Sequence, residues 1–120
     1  MTAAALSLAV YGVYLLANGA GLAVAPNLPL ALLGLPPTEE PWIRVLGLVV
    51  GEIGFYFLFA ARKGIASFFY ATVYARGAAA LVFVALVAFK LGPVQLLLFA
   101  AVDVLTAIWT HFAIKRERAA

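Results

Sequence analysis

Glu52, Arg76 and Asp103 stand apart in this sequence because each is an ionisable residue set deep in a long apolar run. Their types suit chemistry in a water-poor site. A carboxylic acid kept neutral by burial can protonate an alkene, an epoxide or a carbonyl, while an ionised partner takes a proton. Glu52 and Asp103 are the candidate catalytic acid–base pair. Arg76 presents a planar fork that can bind two carboxylates or orient a ligand oxygen. Two acids and one base leave one excess negative charge, which protonation of one acid, Arg44 or a ligand would neutralise. A plainer reading stands beside this one: buried Arg–carboxylate networks can simply fix helix register.

Positioning these residues requires helices that cross a membrane. The chain has 120 residues, of which 67% are hydrophobic and 11% charged, with a mean hydropathy of +1.11. Such a sequence cannot cover its surface with polar groups, so lipid is its solvent. A span needs about 20 mostly apolar residues. Four such runs occupy residues 3–25, 42–61, 68–89 and 94–114. They are continuously apolar rather than alternating, which excludes barrel strands. Pro26 and Pro29, the Pro36-Pro37-Thr38-Glu39-Glu40-Pro41 run, Arg62-Lys63-Gly64 and Leu91-Gly92-Pro93 punctuate them. The connections favour antiparallel neighbours, so the expected fold is all-α: one domain over residues 1–120, an integral membrane antiparallel four-helix bundle. Residues 27–41, rich in leucine, are expected to lie in the outer interface. Ala23-Val24-Ala25 resembles a signal-peptidase site, but no basic segment precedes the first run, which is long for a signal.

Basic residues mark the ends. Arg62 and Lys63 follow the second span and Lys115, Arg116 and Arg118 follow the fourth, whereas the opposite side has Lys90 and the acidic Glu39 and Glu40. The positive-inside rule then places both termini in the cytoplasm. The basic pI of about 9.5 reflects this flanking, and nucleic acid is not an expected partner. The chain has no cysteine, which removes disulfides and thiolate chemistry. With one histidine, no phosphate loop and no assembled Ser-His-Asp set, neither a metal nor a cofactor is expected.

Each ionisable residue lies nine or ten positions from a span end, so all sit about 15 Å deep. An unpaired charge there costs at least about 3 kcal/mol, so these side chains are expected to face one another or a wet cavity. Polar neighbours recur at helical spacing: Tyr11, Tyr14 and Asn18; Glu52 and Tyr56; Thr72 and Arg76; Asp103, Thr106 and Thr110. Arg76, Asn18, Tyr14, Tyr56, Thr106 and Arg44 are the candidate ligand-binding residues. Thr residues on membrane helices usually bond their own backbone, and His111 reads as interfacial. Gly47 and Gly51 form a GxxxG, extended by Gly54, that suits close helix packing within the chain or a homodimer.

Arg44, the run Gly51-Glu52-Ile53-Gly54-Phe55-Tyr56 with Ala60-Ala61-Arg62, the step Tyr74-Ala75-Arg76-Gly77, and Phe99-Ala100-Ala101-Val102-Asp103 together resemble the DoxX-like group of small bacterial four-helix membrane proteins. The resemblance spans nearly the whole chain and implies a multi-pass protein of the bacterial inner membrane. Some members of that group are linked to quinone- or thiol-related redox systems, and the missing cysteines here speak against a thiol role. Small multidrug-resistance transporters share the size, but their essential acid lies in the first helix, which here has none.

The leading functional expectation is a pocket that binds a lipophilic small molecule, such as a lipid, quinone or terpenoid. The alternatives are a cofactor-independent isomerase, cyclase or hydrolase of a hydrophobic substrate, an accessory subunit of a membrane complex, and a proton-coupled carrier.

Overall fold

The computed structural model describes residues 1–119 and is all-α. Its elements are α1 (Ala3–Val24), α2 (Asn27–Leu32), α3 (Trp42–Lys63), α4 (Ala66–Ala88) and α5 (Leu96–Ala119). Four of these helices are long and apolar enough to cross a membrane. At about 1.5 Å per residue, 22 residues reach about 33 Å, slightly more than the hydrocarbon core. Only 17–33% of each span is buried within the chain, so most of the apolar side chains face outward. Lipid is the medium that accommodates them, and the chain is an integral membrane protein.

Local chemistry sets the ends. Thr2 caps α1, its Oγ1 accepting the Ala5 amide at 3.1 Å, and α3 stops at Gly64, whose left-handed backbone (φ +66°) a side chain would strain. The last long helix differs from the expected 94–114 at both ends. Gly92 and Pro93 hold Val94 and Gln95 in turns, which delays its start. Lys115, Arg116 and Arg118 favour helix and complement the carbonyl end of the dipole, which extends it beyond the apolar run. Within residues 27–41, the six residues of α2 are helical. The Asn27 carboxamide oxygen accepts the Thr38 amide at 2.8 Å, and Gln95 donates to the Leu33 carbonyl at 3.0 Å.

α1 is the central helix. It packs along α3 on one side and against α5 on the other, α4 packs on α5, and α3 meets α4 through Phe57, whose ring lies against Phe68 and near the Arg76 guanidinium. Glycines make the α1–α3 seam. A Cβ built on Gly19 would lie 2.5 Å from the Gly51 nitrogen, and one on Gly47 2.5 Å from the Ala23 nitrogen. Gly12 and Gly54 approach in the same way, at 2.8–2.9 Å from each other's carbonyl oxygen. Backbone meets backbone, which maximises dispersion contact where lipid supplies no hydrophobic drive. The GxxxG of α3 is therefore used inside the chain. At the basic end, Glu117 accepts the Ala4 amide at 3.0 Å and Arg118 donates to the Tyr70 hydroxyl at 2.7 Å, tying α5 to α1 and α4.

Candidate functional site

A buried polar core joins α1, α4 and α5. Arg76 is 3% exposed. Side chains on a helix lean toward its N-terminus, and this guanidinium follows that direction, donating from Nε to the Thr72 carbonyl at 3.2 Å. Its Nη2 donates to the Thr72 hydroxyl at 3.1 Å and to the Thr110 hydroxyl at 2.9 Å. Thr110 Oγ1 lies 2.6 Å from Ser7 Oγ, a pair in which either hydroxyl can donate. Nη1 is buried without a hydrogen-bond partner. The rings of Tyr11 and Phe57, with centroids 5.0 and 5.9 Å from Cζ, add cation–π stabilisation.

Asp103 is 4% exposed and accepts the Tyr11 hydroxyl through Oδ1 at 2.5 Å. The expected direct Arg–carboxylate pair is not formed: every hydrogen bond of Arg76 goes to Thr72 or Thr110. Tyr11 spans the gap, its ring under the guanidinium and its hydroxyl on the carboxylate. The physical reason is depth. Thr110, which Arg76 reaches, lies seven residues beyond Asp103 on α5, about 10 Å along the axis.

Glu52 requires the clearest correction. It is exposed on the outer face of α3, among Leu48, Val49, Phe55 and Tyr56, which are also exposed. The α3 face turned to α1 is the glycine face, so Glu52 points away from Asp103 and the two do not form an acid–base pair. Tyr56, 52% exposed, shares that outer surface. Arg44 lies at the opposite end of the bundle, where its Nη1 donates to the Ala23 and Val24 carbonyls at 2.7 and 2.9 Å and caps α1. The Thr106 hydroxyl donates to the Val102 carbonyl of its own helix at 2.7 Å.

Tyr14, Asn18 and Asp103 do meet. They line a cavity of about 330 Å³, with Tyr11, Leu15 and Leu22 of α1, Leu46 and Val50 of α3, Phe83 of α4, and Leu96 and Phe99 of α5. Tyr14 stacks on Tyr11 with centroids 5.5 Å apart. Asn18 spends one N–H on the Tyr14 carbonyl at 2.8 Å. Depressions lined by Thr2, Tyr70, Glu117 and Arg118 sit at the helix termini, and a shallow one along α4 and α5, lined by Gly77, Leu81, Leu97 and Leu105, has no polar side chain.

Ser7, Tyr11, Thr72 and Thr110 form the polar core, yet sequence reasoning leaves them out of the candidate site. For Ser7 a signal existed, since it precedes Tyr11 by four residues and extends the same polar stripe. No family model, curated protein or solved structure matches the chain.

Proposed function

We propose that the protein binds a lipophilic small molecule in the cavity between α1, α3, α4 and α5. The single observation that carries this reading is the combination of an apolar wall with a few polar residues, Tyr14, Asn18 and Asp103, lining one space of about 330 Å³. That volume lies at the small end of ligand sites, so the cavity suits a compact molecule or the head and first carbons of a longer one. Arg76 acts from behind the wall: it holds Tyr11, and Tyr11 holds Asp103.

The experiment is mass spectrometry of small molecules retained through gentle purification, on the wild type and on Val50→Phe, which fills the cavity. A retained lipid, terpenoid or other lipophile that Val50→Phe loses supports the reading. If the wild type retains none, and no lipid, quinone or terpenoid raises its melting temperature, the reading fails.

Orientation belongs to the same proposal. The bundle gathers Arg62, Lys63, Lys115, Arg116 and Arg118 at one end, and we place that end, with both termini, in the cytoplasm of a bacterial cell. The likeness to DoxX-like proteins supports the inner membrane as the compartment. An acid–base reaction is the weaker reading, because a single acid, Asp103, reaches the cavity.

A further inference from the structure

We infer that the ligand is an amphiphile whose head donates hydrogen bonds, a hydroxyl or an amine, and not one whose head only accepts them. This rests on the cavity being a ligand site and narrows what enters it. Arg76, the donor-rich residue expected to orient a ligand oxygen, does not line the cavity; its Nε and Nη2 donate to Thr72 and Thr110, and its Nη1 is buried. What lines it instead is Asp103, whose Oδ1 accepts the Tyr11 hydroxyl and whose Oδ2 has no hydrogen bond among the described residues.

Asp103 is also the one carboxylate buried inside the bundle among the described residues, Glu52 and Glu117 being exposed. We take it as the counter-ion of Arg76, acting across the Tyr11 ring that lies under the guanidinium and whose hydroxyl it accepts, and an ionised carboxylate only accepts. Asn18 adds a second free acceptor, its amide oxygen, because its side chain's hydrogen bond to Tyr14 uses the nitrogen. Tyr14 and the remaining Asn18 N–H can then complete the bonding of a hydroxyl oxygen. A ketone, quinone or ether head would face Asp103 acceptor to acceptor and leave a desolvated carboxylate oxygen unpaired. Sites built to bond an O–H or N–H discriminate strongly against analogues that lack it.

The test uses four probes with the same C14 chain: a primary alcohol, a primary amine, a methyl ether and a methyl ketone. Saturable binding to the full-length protein in nanodiscs is measured for wild type, Asp103→Asn and Val50→Phe. The expected result is that alcohol and amine bind at least about tenfold more tightly than ether and ketone. Asp103→Asn should weaken the amine most, since the amide keeps an acceptor but loses the charge. Should Asp103→Asn fail to fold, Asn18→Ala replaces it and should reduce the same preference. If all four probes bind equally and Val50→Phe abolishes binding, the donor-head inference is overturned while the cavity stands as a site. If no probe binds saturably, or Val50→Phe changes nothing, the ligand-site reading falls with it.

Discussion

Gly47 and Gly51 belong to one GxxxG motif, yet they should respond oppositely to alanine. At Gly47 an added Cβ would lie 2.5 Å from the Ala23 nitrogen, 2.7 Å from the Gly19 oxygen and 2.9 Å from the Leu22 carbonyl carbon, all backbone atoms that no rotamer change can move. Ordinary contact begins at 3.4 Å, so α1 and α3 must separate locally by about 0.9 Å. Overpacking of this kind costs about 1–3 kcal/mol. The separation also shifts Leu46 and Val50, which wall the cavity. At Gly51 an added Cβ meets nothing within 4 Å, and alanine gains up to about 1 kcal/mol of helix propensity. Reversible unfolding of the two variants in mixed micelles, followed by far-UV circular dichroism, measures the difference. Gly47→Ala is expected to be less stable than Gly51→Ala by about 1–3 kcal/mol, the overpacking cost alone, since both variants gain the same helix propensity. Equal stabilities, or a more stable Gly47→Ala, would show that α1 and α3 do not cross where the structure puts them.

Thr110→Val removes the hydroxyl shared by Arg76 and Ser7 and should cost about 1–3 kcal/mol in the same unfolding assay, whereas Thr106→Val, which loses only a bond to its own helix, should cost less than about 1 kcal/mol. Tyr11→Phe keeps the ring beneath Arg76 but takes the hydroxyl from Asp103, so about 1.5–3 kcal/mol should be lost; a neutral effect would mean that the Tyr11–Asp103 bond does not hold. Glu52→Leu exchanges an acid on the outer face of α3 for a residue favoured in lipid by about 0.5 kcal/mol, and stability in bilayers should stay level or rise. A marked loss would mean that Glu52 has a polar partner. Because the chain has no cysteine, single cysteines at positions 90 and 63 can be labelled with an impermeant maleimide in intact cells; the proposed orientation requires labelling from outside at 90 and protection at 63.

The four spans were legible because bilayer thickness acts on run length, a property of sequence alone. Asp103 and the aromatic stripe Tyr11–Tyr14 were legible through helical spacing, as was the use of Gly47 and Gly54 in close packing. Two matters were not. Depth counted from Cα positions put Arg76 level with Asp103, but a long side chain leaning toward its N-terminus carries the charge elsewhere, and Tyr11 had to fill the difference. Rotation was the other. Glu52 shares the depth of a polar centre, but α3 must turn its glycine face to α1, and a residue away from that face is carried to the outside. Hydropathy cannot reveal this, since between Arg44 and Arg62 both faces of α3 are apolar apart from Glu52 and Tyr56. Arg44 was also indistinguishable from a pocket residue until the carbonyl end of α1 was seen beside it.

Photoaffinity labelling tests the ligand site most directly. A C14 primary alcohol carrying a diazirine on its chain, incubated with the protein in nanodiscs and irradiated, should give saturable adducts on Leu46, Val50, Phe83 or Phe99, suppressed by excess unlabelled alcohol. Adducts confined to outward residues such as Val45, Phe59 and Leu105, rising linearly with probe and indifferent to competitor, would contradict a ligand site between these helices.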